Sequence, residues 1–339
     1  MKHFGTLFLL LILLGVSSCG NKQKKVYKPE SLGAINQLAV VIEDPLWESE
    51  VGDKIRQYFA APVVGLTWDE PLFSIEQMPP RVFTGTTRHR RAVLFVSLDT
   101  LNAAGVQTDL FASPQKVAIV KGKTQQNIID SLDAEAPSMI AELKQMELKE
   151  TQARFLRSLS KDNVLEEEFG VSLSIPSIYK LGKRENGFVW IDREIQKGTM
   201  NLLAYQVPLD SFENDTTLVA DIVKMRDSIG KRFIPGPDLP DKDTYMETEK
   251  AFAPSVYRTE IAGKKALEVR GIWEVHNYPM AGPFLTYIIR DEANNRNLVL
   301  EGFTFAPSTN KRDYMFELEA ILKTLRFPDQ SKAKPVATR

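Results

Sequence analysis

Cysteine is nearly absent from this 339-residue sequence, and Cys19 is its one thiol. No disulfide can form within the chain, so its stability comes from packing. Histidine is almost as scarce, and only His89 and His276 lie beyond the N-terminal segment. That excludes a zinc site built on two His one helical turn apart. Net charge is missing too: 43 Lys plus Arg against 44 Asp plus Glu leave −1. Such a balance supplies no global field for nucleic acid. No apolar run approaches the roughly 20 residues that span a bilayer. What remains, 43% hydrophobic and 26% charged, is ordinary globular composition at a length that suggests two domains.

The N-terminus reads as an address. Lys2 supplies a positive start, and Leu7 to Leu14 form an uninterrupted apolar run. At eight residues this run fits a signal peptide rather than a membrane span. Val16-Ser17-Ser18-Cys19 resembles the lipobox cut by the lipoprotein signal peptidase. The resemblance implies a diacylglyceryl thioether on Cys19, cleavage before it, and an acyl chain such as palmitate on the new amino terminus. Several acyl chains hold a folded domain stably on a membrane. The polar, basic stretch 20–25 then reads as a tether, either against anionic headgroups or as a plain spacer.

Along the mature chain, 38–43 is a short β-branched run that reads as a buried strand. Asp44-Pro45 opens a helix continuing to Phe59. Beyond a Pro-rich connection come strands at 92–98 and 116–120, then a helical pattern from 125 to about 169 with a break or kink at Pro137. The second half has alternating strands at 171–175, 188–191 and 201–207. A helix at 217–229 ends at Gly230, and 234–249 reads as an acidic loop. Strands at 267–277, 284–290 and 298–305 follow, then a closing helix at 311–325. The expected class is α+β, mostly antiparallel sheets with helices packed on them. The expected organisation is signal peptide 1–18, lipidated Cys and tether 19–31, an α/β domain 32–170, an antiparallel-sheet α+β domain 171–327, and a disordered tail 328–339.

Several short motifs carry a family likeness. They are Gly33-Ala34-Ile35-Asn36, Pro45-Leu46-Trp47, Val51-Gly52-Asp53 and Pro71-Leu72-Phe73, then Phe188-Val189-Trp190, Gly271-Ile272-Trp273-Glu274, Gly282-Pro283-Phe284, Glu301-Gly302-Phe303 and Leu318-Glu319-Ala320-Ile321. Over nearly the whole mature chain the sequence resembles domain of unknown function 4837, a set of Gram-negative envelope lipoproteins. The resemblance implies a lipid-anchored envelope protein and carries over no catalytic residue. The second half is also similar to the PsbP-like layered α/β fold, which often serves as a binding module.

Chemistry-bearing patterns are few. Gly122-Lys123-Thr124 resembles the end of a P-loop, but Val117 stands where the first glycine is required. Asp238, Asp241, Asp243 and Glu247 fail the EF-hand spacing. Neither a metal nor another cofactor is expected. Arg88-His89-Arg90-Arg91 is the densest basic cluster, able to meet a phosphate or acidic glycan, or simply a solvated turn. On a strand through Arg270 to Tyr278, Arg270, Glu274 and His276 share one face, with Trp273 on the other. Glu274 and His276 would lie about 7 Å apart, near enough for general acid–base work. Trp68, in a loop bounded by Gly and Pro, could stack on a sugar ring. Four triplets beginning at Asp99, Asp130, Asp215 and Asp227 look like short O-glycosylation acceptors.

The sequence therefore reads as a lipid-anchored cell-envelope protein, on the outer membrane, that binds without catalysis. Its partners are the membrane through Cys19 and an envelope protein or glycan, not nucleic acid. The alternatives are an envelope hydrolase using Glu274 and His276, and a glycan-binding module using Trp68. Arg270, Trp273, Tyr278 and the 88–91 cluster are the further candidate binding residues.

Overall fold

A computed structural model describes residues 27–328. Cys19, the signal-like segment 1–18, the tether as far as residue 26 and the tail from residue 329 lie outside the described residues. Thirteen strands and six α-helices are built from the rest. They form two sheets, and the class is α+β as expected.

The small sheet contains β1 (Gln37–Val41), β2 (Ser74–Met78), β3 (Ala92–Leu98), β4 (Ala103–Thr108) and β5 (Lys116–Gly122), in the order β2-β1-β3-β5-β4. Its first four strands are parallel, and only the edge strand β4 is antiparallel. The antiparallel expectation thus fits the other sheet and not this one. Strand runs such as Ala92-Val93-Leu94 are buried without alternation, as expected where a parallel sheet is covered on both sides. One face packs on α2 (Glu50–Phe59) and α3 (Gln125–Phe155), through Ile55, Phe59, Ile128 and Leu132. The other is closed by Phe83 and Phe111.

The large sheet holds β6 (Lys180–Glu185), β7 (Phe188–Ile195), β8 (Gly198–Pro208), β9 (Met246–Thr248), β10 (Ser255–Ile261), β11 (Lys264–Val275), β12 (Tyr278–Asp291) and β13 (Arg296–Phe305). Its order is β10-β11-β12-β13-β8-β7-β6, with β9 also on β11, and every pairing is antiparallel. One face packs on α6 (Arg312–Leu322) and α4 (Val164–Phe169). The other packs on α5 (Leu218–Phe233).

Several local expectations are corrected. The helix expected over 44–59 is two helices, α1 (Asp44–Trp47) and α2, because the Ser49 hydroxyl caps the second by accepting the Val51 N–H at 3.3 Å. No break occurs at Pro137. Packing of Ala136 and Met139 on the small sheet holds α3 through it. Residues 171–175, expected as a strand, make a single isolated bridge, Ser172 to Arg326. The Pro279–Pro283 segment lies in the first part of β12. It pairs only with β11, since pairing with β13 begins at Phe284, and such an edge tolerates proline.

Helix α3 joins the halves. Met146 still belongs to the small-sheet core, whereas Phe155, two and a half turns on, belongs to the large-sheet core. Between them Gln152 donates to the Ala320 carbonyl in α6 at 3.1 Å.

Candidate functional site

Where the two sheets meet, Asn36 is wholly buried just before β1, with φ of 58°. Asn is among the few residues that adopt this left-handed conformation readily. Its backbone N–H donates to Glu147 Oε2 at 3.3 Å, and its carbonyl accepts from Ser74 N at 2.8 Å. Its side-chain amide donates to Asp313 Oδ1 at 3.1 Å, and its Oδ1 accepts from Lys144 Nζ at 2.9 Å. One residue thereby ties together β1, β2, α3 and α6.

Behind it lies a buried ion pair. Arg91 Nε and Nη2 each donate to the Glu147 carboxylate at 3.0 Å, and Nη2 also reaches the carbonyls of Gly33 and Ala34. Both side chains are within 2% of complete burial. Burial pushes the Glu147 carboxyl up, and Arg91 opposes that push.

In front opens a cleft of about 410 Å³. Its walls are the loop after α2, with Val63, Val64 and Leu72; the start of α6, with Arg312, Met315, Phe316 and Glu319; and Tyr257, Glu268 and Arg270 from β10 and β11. Lys144 lines it from α3. Gly65 brings the loop hard against β11: its φ is 83°, and a Cβ there would stand 2.9 Å from the Arg270 Cβ. Only glycine allows this approach.

The cleft wall is strongly charged. Arg270 pairs with Glu268 at 2.6 Å and Glu319 at 2.8 Å. Burial pushes the Glu319 carboxyl up, but Arg270 and Lys323 outweigh it and hold the group down at about 2. Burial drives the Lys144 ammonium down to about 8, against the pull of Glu319. Its Nζ lies 4.3 Å from the centroid of the Phe316 ring. A cation beside apolar walls, in a concavity with a few convergent polar groups, is the usual anatomy of a small-molecule site.

Of the sequence candidates, only Arg270 lines this cleft. The basic cluster is dispersed by a 3₁₀ turn (Gly85–His89) running into β3. Arg88 lies over Phe111, Arg90 pairs with Glu76 at 2.7 Å, and Arg91 is the buried partner of Glu147. The His89 carbonyl accepts the Leu32 N–H. Trp68 is 43% exposed, and the Lys311 ammonium sits 3.3 Å from its ring centroid. Trp273 is core, packed edge-on to Phe303, with its indole N–H unpaired.

Glu274 and His276 flank a β-bulge near the β11–β12 turn, and neither lines the cleft. His276 Nδ1 meets Glu247 Oε1 at 3.2 Å, and its ring stacks on Tyr245 at 4.8 Å. Glu274 lies across the strand from Glu247; burial and then Glu247 push its carboxyl up. Tyr278, beyond the turn, is partly exposed. Of the acceptor-like triplets, Ser131 and Ser228 are turned onto helix carbonyls, whereas Thr100 and Thr216 lie in exposed turns.

Lys144 and Glu147 escaped the sequence reading, and Asn36 and Glu319 entered it only within family-like motifs. The available signal was a charge on an apolar helical stripe: Glu147 follows Leu143 by four, and Glu319 follows Met315 by four. Among the described residues no group of His, Cys, Asp and Glu is arranged to hold a metal ion, and no helix is long and apolar enough to cross a membrane.

Residues 158–324 match the family model for domain of unknown function DUF4837, and residues 31–156 match a second, domain of unknown function DUF8532. The likeness to the first family, read over nearly the whole mature chain, is thus met in the C-terminal part, and the N-terminal motifs fall in the other model. No curated protein matches. Among solved structures, human StAR-related lipid transfer protein 5 aligns at 10% identity over 53% of this chain and 98% of its own, with a TM-score of 0.23. An overlap that slight carries no argument.

Proposed function

We propose that this chain is a lipid-anchored cell-envelope protein whose folded part binds a small ligand in the cleft between its two sheets, without transforming it. Anchoring rests on the lipobox-like Val16-Ser17-Ser18-Cys19 and the polar tether behind it. Outer-membrane placement is part of the same proposal. Binding rests on one observation above the rest: Lys144 lines a cavity at the junction and pairs with no carboxylate among the described residues. Natural proteins retain a half-buried, unpaired charge where function needs it.

A photo-reactive residue at position 257, on the cleft rim, tests both parts in living cells. The expected result is a low-mass adduct on a protein that partitions into detergent, with Cys19→Ala abolishing the partitioning and leaving the fold intact. A discrete protein adduct would instead make the rim a protein interface.

Glu274 and His276 favour a second reading, an envelope hydrolase. The raised Glu274 carboxyl, two residues along β11 from the His276 imidazole, supplies a workable acid–base pair. Glu274→Gln would then abolish an activity without changing the melting temperature; an unchanged phenotype removes this reading.

A further inference from the structure

Five charged side chains line the cleft, and four of them have charged partners. Glu319 is held by Arg270 and Lys323. Glu268 is held by Arg270 and by the Tyr287 hydroxyl at 3.0 Å. Arg312 is bound to Asp313 through Nε and Nη2, while Nη1 reaches the Pro71 carbonyl and Ser74. Lys144 differs. Among the described residues its ammonium makes one hydrogen bond, to the neutral Asn36 amide, and rests against the Phe316 ring. Three N–H donors on that nitrogen leave two for a ligand.

We propose that the cleft takes an organic monoanion with an apolar body, its carboxylate received by Lys144 and its chain lying along Val63, Val64, Leu72, Met315 and Phe316. This deepens the binding reading above and rests on it. A cationic ligand would meet only carboxylates already neutralised. A neutral apolar ligand would strip water from Lys144 and leave the ammonium without a counter-charge, which is costly. A dianion would need a second unpaired cation, and both arginines are occupied. The volume of about 410 Å³ is within the range of small-molecule sites and takes a chain of about ten carbons.

The charges facing Lys144 come from three elements: Glu319, Asp313 and Arg312 on α6, Arg270 on β11, and Glu147 on its own helix. Carboxylates and guanidiniums pull in opposite directions there, and burial is the largest influence on the ammonium. Anion binding should therefore fade as pH rises through about 8, whereas an ordinary lysine would sustain it to about 10.

Calorimetric titration of the mature chain with decanoate, 1-decanol and decyltrimethylammonium tests this. The expected result is decanoate bound at least tenfold more tightly than decanol, with the preference erased in Lys144→Met and decanol affinity unchanged. Lys144→Arg should keep the preference and lose the alkaline fading, which preserves the test should Lys144→Met fail to fold. If decanol or the cation binds as tightly as decanoate, the monoanion inference is overturned and the cleft remains a binding site. If none of the three binds, the cleft-binding reading falls with it.

Discussion

The Glu70 carboxylate caps the first turn of α6 from the opposite half of the molecule, 242 residues away from Arg312. Its Oε2 accepts the Arg312 N–H at 2.8 Å, and its Oε1 accepts the Lys311 N–H at 2.6 Å. The helix that floors the cleft is therefore completed by the loop that walls it. Glu70→Ala should cost about 1–2 kcal/mol, since one buried and one part-buried donor lose their acceptor and the helix loses one of its N-terminal negative charges. Urea unfolding measures this directly; a change below a few tenths of a kcal/mol would mean that solvent satisfies the two N–H groups.

The Arg91–Glu147 pair gives a different pattern. Removing either partner strands a buried charge, and Arg91→Met or Glu147→Gln should each lose about 3–5 kcal/mol. The double variant should recover much of that, because neither charge then remains unpaired. A double-mutant cycle by thermal unfolding reads the coupling, and simple additivity would show that the pair does not act as a unit.

Two cleft residues predict pH effects of the same sign in different windows, because both titrate lower in the folded state than in the unfolded one. The Glu319 carboxyl is lowered to about 2 in the folded state, so the unfolded chain binds more protons between there and its ordinary value near 4.5. Its contribution, about 2–3 kcal/mol, is present above that window and is lost as pH falls through it. Glu319→Gln should flatten the acid limb of the stability profile. Lys144 is a base lowered to about 8 from 10.5, so the folded state disfavours its charge. Stability should rise with pH across that interval, and Lys144→Met should be more stable at pH 7 by about 1–3 kcal/mol. A less stable Lys144→Met would show that the ammonium serves the fold and not a ligand.

Legibility in the sequence followed the physics of each signal. Long apolar runs such as Leu298-Val299-Leu300 announced buried strands, and the stripe of Leu318, Ile321 and Leu322 announced α6. β4 and β6 went unseen because their residues are mostly exposed, leaving no hydrophobic period to read. Parallel pairing in the small sheet was hidden for another reason. Strand direction is fixed by crossovers such as the one through α2 between β1 and β2, whose local pattern is the same in either topology. Arg91 looked like part of a basic surface patch because its charge was counted before its partner, 56 residues away, was known. Arg270 was found on a strand face, but its neighbours in the cleft come from α3, α6 and the loop after α2, and no local spacing brings those together.

The central claim is that the cleft holds a small anion by Lys144. Mass spectrometry of the protein isolated under native conditions from the cells that make it, beside Lys144→Met, tests it most directly. The account predicts a small organic anion released on denaturing the wild type and missing from the variant. A wild type that releases nothing, or a variant that releases the same compound in the same amount, would contradict it.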